Sequence, residues 1–370
     1  MPAPPPTRLL IVLPSWVGDA VMATPALRHI RTRVPGAFIG ALCRPGLDTL
    51  LGGTDLIDEF HIQQPAGVMT PKHAAAKVRA RKYDAALLLT NSFSTALTTR
   101  LAFIPRRTGY DRDGRGFLLT QRITPPRNPD GSWRLTSAVD YYFHAAQHLL
   151  GEPPTPFNTD ALTDPARAPL ILPADARLEL ACTDDDHARA NATLASAGVD
   201  PAESFVLLNP GGNNPAKRWP EDRFAALADH LQANHKLRAL INGSPAETDL
   251  CRSIAQQASS DAIALPDHDH SLQGVKSLCA RARIMITNDT GPRHIAAAMG
   301  TPVVSLFGPT DARWTTIPFD REAIVLADPT LPPDQSANDH PERCAIDHIT
   351  LGRVIDAAKS LLGSSAIEES

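Results

Sequence analysis

The sequence predicts an α/β protein built from two Rossmann-like, doubly wound domains, and three observations predict it. A chain of 370 residues exceeds what one hydrophobic core usually serves. Short aliphatic runs alternate with helical stretches in both halves, the pattern of parallel sheets covered on both faces. Each half opens on an aliphatic run that passes into Pro and then Gly before a helix.

In the first half, Leu9 to Leu13 reads as a buried strand and Pro14 to Asp19 as a loop. Ala20 to Arg33 reads as a helix with Val21, Leu27, Ile30 and Val34 near one face. Strands follow at Ala37 to Leu42 and Ala85 to Leu89. The proline-rich stretch from Pro153 to Pro173 marks the connection. Beyond it, Phe205 to Asn209, Leu237 to Ile241, Arg283 to Thr287 and Pro302 to Leu306 read as strands, with helices from Glu221, Ala246 and Ser271. Ile349 to Leu362 suits a last amphipathic helix. The expected division is therefore residues 1–172, residues 173–349, and a terminal helix and tail over 350–370.

Composition narrows the function. Lys and Arg number 36 against 40 Asp and Glu, a net charge of −4 that gives no reason to expect nucleic acid. Five cysteines, at 43, 182, 251, 279 and 344, show no CxxC spacing, so neither a disulfide framework nor a zinc site is signalled and a reducing, cytoplasmic setting fits. The run Leu9 to Leu13 is too short for a signal-peptide core or a membrane span.

Three loops carry the chemistry. In Leu13-Pro14-Ser15-Trp16-Val17-Gly18-Asp19 an acid stands where a strand hands over to a helix, the place where open α/β sheets hold ligands. Asp19 either caps that helix or faces a ligand, and the roles can coexist. Asn209 to Pro220 joins a strand to a helix through Gly211, Gly212 and Asn213, with Lys217 as a mobile charge. Its backbone N–H groups can approach phosphate, or the segment is an Asn/Gly turn with solvated cations. Thr287 to His294 again sets an acid and polar donors after a strand, with Asp289 or Thr290 as an alternative N-cap and Pro292 in the first turn.

Two acidic motifs look like metal sites and are read otherwise. Thr183 with Asp186 forms a capping-box pattern across Asp184-Asp185-Asp186. Asp267-His268-Asp269-His270 reads as a solvated loop before a helix. No metal and no cofactor is expected. Local charge is more telling: seven arginines lie between Arg100 and Arg127 against Asp111 and Asp113, and Lys72 to Lys82 holds five cations and no acid. This basic face is either solvated or suited to an anionic acceptor or a phosphate-rich membrane surface.

The stretches PSWVGDAVMATPAL, IPRRTGY, NPGGNNPAKRWP, NGSPAETDLCRSIA and NDTGPRHIAAAMGTPVVSLFGPT resemble, in order and spacing, the bacterial heptosyltransferases of the lipopolysaccharide inner core, especially the heptosyltransferase II type. The likeness reaches from residue 8 to about residue 315. It implies a GT-B fold with a central cleft, and an inverting, metal-independent transfer of heptose from ADP-L-glycero-D-manno-heptose to a heptosyl-Kdo-lipid A acceptor.

The resemblance also assigns roles. Asp19 would be the general base, Lys217 would neutralise the diphosphate and Glu247 would hold the ribose. Asp289, Thr290, Gly291 and His294 would surround the diphosphate and sugar, with Gly211, Gly212 and Asn213 beside them. Ser15, Trp16 and Gly18 would meet the acceptor, and Arg106, Arg107 and Arg112 its anionic groups, which implies peripheral contact with the inner membrane. Pro292 and Arg293 depart from the apolar pair expected after the glycine. Rival readings are a related transferase with another donor or acceptor, and a nucleotide-sugar-binding protein without catalysis. A dinucleotide oxidoreductase lacks its GxGxxG.

Overall fold

The computed structural model describes residues 4–364 except 64–68, 158–163, 201, 269, 329 and 333–334; Asp269 and the tail beyond 364 lie outside the described residues. The described residues divide into two compact units. The first holds residues up to 157 together with 168–179 and 314–317; the second holds 164–167, 180–313 and 318 onward.

The first unit is built on six parallel strands, β1 (Arg8–Val12), β2 (Phe38–Cys43), β3 (Glu59–Ile62), β4 (Ala85–Leu88), β5 (Arg106–Tyr110) and β6 (Gln121–Ile123), in the order β3-β2-β1-β4-β5-β6. The second repeats this with β7 (Phe205–Asn209), β8 (Arg238–Ile241), β9 (Ile263–Ala264), β10 (Ile284–Asn288), β11 (Val303–Phe307) and β12 (Glu322–Leu326), in the order β12-β11-β10-β7-β8-β9. Both orders reverse direction once, between β1 and β4 and between β7 and β10. Such reversals leave a crevice at the strands' carboxyl ends because neighbouring connections depart to opposite faces.

The central strands are aliphatic because helices cover both faces of them. Leu9 and Leu10 of β1 are wholly buried, as are Val206 and Leu208 of β7, and β10 is buried along its length. Register follows: Leu9 sits between Ile39 and Ala85, and Val206 opposite Ile284. Val206, Ile241, Ile286 and Val304 join Trp219 and Phe224 in one core.

The expected first helix divides in two, Val17–Met22 and Thr24–Arg33, with the break at Ala23. Pro25 explains it: with no N–H it fits a first helical turn and cannot continue a preceding helix. The first helix also starts inside the expected loop, which puts Asp19 in its first turn. Its N-cap is Trp16, so Asp19 does not occupy the capping position. The Thr183–Asp186 capping box forms as its spacing predicts, and Asp186 additionally meets Lys276 at 2.9 Å in a fully buried pair.

Asp140, near the start of the helix Ala138–Leu150, accepts the Ile171 N–H at 3.0 Å and is buried. Burial pushes its carboxyl up to about 7, partly countered by that hydrogen bond. The native state therefore keeps a proton that the unfolded chain releases near pH 4. Stability falls as pH rises from there through 7. Asp140→Asn removes this dependence, so urea melts should show the variant gaining ~2–4 kcal/mol on wild type between pH 4 and pH 8. Parallel curves at the two pH values count against the raised carboxyl.

Candidate active site

Three loops of the second unit meet at the β7/β10 reversal. After β7 the chain runs through Pro210, Gly211 and Gly212 into a single 3₁₀ turn, Pro215–Lys217, which Asn214 caps by accepting the Ala216 N–H. Lys217 Nζ stands 3.0 Å from Asp289 Oδ2, just beyond β10. Thr310, after β11, donates its hydroxyl to the same oxygen at 3.3 Å. Burial pushes the Asp289 carboxyl up, and the charges of Lys217 and Arg293 more than reverse this, holding it below its ordinary value. A half-buried ammonium is thus parked on a fixed carboxylate at a strand-end crevice.

The loop around Lys217 is pinned from behind. Asn288 donates to the Pro210 carbonyl at 2.7 Å and accepts the Trp219 N–H at 3.3 Å. Trp219 is buried, and its indole N–H reaches the Ile349 carbonyl at 2.8 Å. The Arg218 guanidinium holds the Gly212 carbonyl at 2.7 Å, while Asn213 is exposed. A Cβ at Gly211 would stand 2.2 Å from Glu247 Oε1, so a side chain there would displace the Glu247 carboxylate from the turn.

Glu247 accepts the Gly212 N–H at 2.8 Å through one oxygen and the Ser244 N–H and hydroxyl through the other. Burial would raise its carboxyl, but these donors, with Arg218, hold it below the usual range. The geometry shows Glu247 as the brace of the Gly211–Gly212 turn, a role the sequence does not suggest.

Thr290 is the N-cap of the helix Gly291–Ala298, with Pro292 in its first turn as expected. Its hydroxyl accepts from the Asn209 amide at 2.9 Å, and Asn242 donates to the side-chain carbonyl of Asn209 at 2.6 Å. His270 bonds Asn242 at 2.8 Å, so this histidine of the acidic loop is not solvated; Asp267 pairs with Arg252. Burial lowers His270 to about 4, which leaves it neutral at pH 7. Burial and the neighbouring Arg293 charge push His294 to about 3, and its Nδ1 is buried without a hydrogen-bond partner among the described residues. A neutral imidazole there retains one N–H donor.

In the first unit, Asp19 sits beyond β1 at the β1/β4 reversal, and the Tyr142 hydroxyl donates to its Oδ1 at 2.9 Å. Burial and the Asp19 charge raise the Tyr142 phenol far above its usual value, so it stays a donor. Ser15 is half-buried, Trp16 is 62% exposed and Gly18 is buried. Arg112 follows the carboxyl end of β5, on the edge of the sheet where Asp19 lies, with its guanidinium 4.0 Å from the Trp133 ring centre.

Arg106 and Arg107 correct the expected acceptor cluster. They open β5 and so stand at the opposite, amino-terminal edge of the sheet. Arg107 is buried and donates to the carbonyls of Leu118 and Ile104; Arg106 donates to that of Pro4. Their guanidinium groups tie chain segments together.

A family model described as glycosyltransferase family 9 (heptosyltransferase) matches residues 73–343. The chain belongs to that family. Among curated relatives of this family 9 glycosyltransferase, lipopolysaccharide heptosyltransferase 2 of Salmonella typhimurium is 28% identical over 332 residues, covering 86% of this chain and 87% of the relative. Its Escherichia coli counterpart is 27% identical over 347 residues, with 86% and 87% covered.

Among solved structures, a glycosyl transferase family 9 protein from Veillonella parvula has a TM-score of 0.77 at 19% identity, with 97% of each chain covered. Escherichia coli ADP-heptose lps heptosyltransferase II has 0.75 at 22%, covering 97% of this chain and 99% of that one. These likenesses bear out the GT-B class, and the family bears out the resemblance read from the sequence and the enzyme class.

Proposed function

We propose that this family 9 glycosyltransferase moves heptose from ADP-L-glycero-D-manno-heptose to the inner core of lipopolysaccharide, on a heptosyl-Kdo-lipid A acceptor, by an inverting displacement without a metal ion. The observation behind this reading is Lys217 parked on Asp289 beside the Gly211–Gly212 turn, at the β7/β10 reversal. The names of the curated relatives, lipopolysaccharide heptosyltransferase 2, support heptose as the sugar and lipopolysaccharide as the acceptor class.

In this mechanism the acceptor hydroxyl attacks the anomeric carbon of the heptose as Asp19 takes its proton. The bond from that carbon to the diphosphate oxygen breaks, and ADP departs with the electron pair. Lys217 leaves Asp289 for the diphosphate, and Thr290, Gly291, Asn213 and His294 offer donors around it. A cation and N–H groups aimed at a developing charge do the work that a metal ion does in other transferases. Glu247 keeps the loop in shape, with Ser15, Trp16 and Gly18 as acceptor contacts.

Arg112 meets an anionic group of the acceptor. Arg127 also flanks Trp133 at 3.9 Å, and elsewhere on this unit Phe93 and Phe117 expose rings 6.0 Å apart. Basic and aromatic groups together suit an anionic lipid surface, so the protein works at the cytoplasmic face by peripheral contact. Among the described residues no helix is long and apolar enough to cross a membrane.

The test is incubation of the purified chain with ADP-heptose and the Kdo-containing heptosylated lipid A, following ADP release and acceptor mass with and without a chelator. One heptose is gained at an unchanged rate in chelator. A rate that collapses in chelator refutes metal independence. Donor binding without transfer refutes the acceptor.

A further inference from the structure

A line of alternating charges runs inward from Lys217. Beyond Asp289, Arg293 Nη1 stands 4.0 Å from Asp289 Oδ1, and Arg293 Nε donates to Glu322 Oε1 at 2.7 Å. Arg167 approaches Glu322 Oε2 at 3.4 Å, and Ser305 donates its hydroxyl to Oε1 at 2.6 Å. The side chains of Arg293 and Glu322 have no solvent exposure. Arg293 also lies 5.0 Å from the Phe307 ring centre.

Stability does not account for this arrangement, because the desolvation of a buried ion pair roughly cancels its attraction, and apolar residues of like volume do as well or better. Its position suggests another purpose. A diphosphate bound by Lys217 takes the ammonium away from Asp289, and a nearly buried carboxylate stripped of its nearest counter-charge either resists that loss or takes up a proton. Arg293 approaches the other oxygen of the same carboxylate. Glu322, Ser305 and Phe307 fix it in place, so it cannot follow the phosphate.

We propose that Arg293 is a positioning residue for donor binding: a fixed, buried counter-charge that keeps Asp289 ionised while Lys217 transfers to the diphosphate. This rests on the reading of Lys217 as the diphosphate ligand. The charged and titratable groups facing Asp289 are Lys217 from the loop after β7 and Arg293 and His294 from the helix after β10, with the Thr310 hydroxyl from the loop after β11. His294 is neutral near pH 7 and can itself take up a proton beside a bound diphosphate, so uptake belongs to Asp289 only where it disappears in an Asp289→Asn background.

The test is calorimetric titration of the full chain with ADP at pH 5 and pH 8, each in two buffers of different ionisation enthalpy. Wild type sets the proton balance that ADP's own terminal phosphate, titrating near pH 6, brings to binding, and Asp289 should add no uptake to it. Arg293→Met combined with Glu322→Met removes both members of the buried pair, so neither charge is left alone. It should bind ADP about tenfold more weakly at pH 8, as one unit of carboxyl shift on binding requires, with no added proton taken up at that pH because free and bound carboxyl are both ionised. The deficit narrows at pH 5, where the variant takes up a fraction of a proton beyond wild type, because protonation of Asp289 assists binding there.

Arg293→Gln, which retains a donor towards Glu322, carries the same expectation if the double variant does not fold. In an Asp289→Asn background the Arg293 substitution should have no effect on ADP affinity. Unchanged affinity without added proton uptake in a folded variant overturns the proposal, and so does an equal deficit in the Asp289→Asn background. Lys217→Ala separates the premise: if it leaves ADP affinity intact, the Lys217 reading fails and takes this one with it. If it weakens ADP and the Arg293 variants take up no added proton at pH 5, only the counter-charge fails.

Discussion

Asp19→Asn should lower kcat for heptose transfer by about 10²- to 10⁴-fold, the range that removal of a general base commands, with ADP affinity and melting temperature unchanged. Asparagine has the shape of aspartate, and its amide oxygen can still accept the Tyr142 hydroxyl that stands 2.9 Å from Oδ1. What it cannot do is take a proton from the acceptor. Because Asp19 lies in the first turn of a helix whose N-cap is Trp16, the substitution leaves the capping position untouched. The loss should therefore fall on kcat. A folded Asn variant with full transfer activity would falsify the assignment of Asp19 as base.

The strands legible in the sequence are those buried on both faces. β7 spans Phe205–Asn209, as its aliphatic run predicts, and β1, β4 and β10 lie within a residue of expectation. A buried central strand has only one composition open to it, so pattern suffices. The strands that pattern misses are β3, β5, β6, β9 and β12, which lie away from the centre or carry charge. β5 opens with Arg106 and Arg107, and β12 with Glu322, whose carboxylate is matched by Arg293 from a distant helix. A charged group that donates to distant carbonyls looks solvated in one dimension, which is why Arg106 and Arg107 read from sequence as part of an anion-binding face.

The site is legible for the same kind of reason, and to the same limit. Asp19, Lys217 and Asp289 each follow a strand that the pattern reveals, and strand ends at a reversal converge by topology. Their partners leave no local trace. Tyr142 is 123 residues from Asp19, and Asn242 reaches Asn209 from another strand end. Resemblance singles out Glu247, and its contact with Ser244 is a local capping box, yet its hold on the Gly212 N–H depends on the turn geometry of two loops. Pro25 is a signal that the sequence does hold: it marks the helix break at Ala23 without any tertiary contact.

Lys217→Ala should cost roughly 10²- to 10³-fold in kcat/KM for ADP-heptose, about 3–4 kcal/mol of transition-state stabilisation, as removal of a preorganised charge at a leaving group does. Charge on the diphosphate oxygen grows as the bond to the anomeric carbon breaks, so more of the loss should appear in kcat than in KM. Lys217→Arg should restore only part, since a planar fork does not occupy the place of a compact ammonium 3.0 Å from Asp289. Folding should survive, because Arg293 still faces the Asp289 carboxylate. The Asp289 carboxyl is held below its ordinary value, so its contribution to stability is present at neutral pH and lost as pH falls through the lowered value. Lys217→Ala weakens that hold, so the variant should be less stable than wild type at pH 8 and should approach it as the carboxyl protonates on acidification. Steady-state kinetics with ADP-heptose at pH 8, beside acid melts of both chains, read the two effects separately. A variant with wild-type kcat and a raised KM alone would make Lys217 a ground-state donor contact rather than the group that stabilises the departing diphosphate.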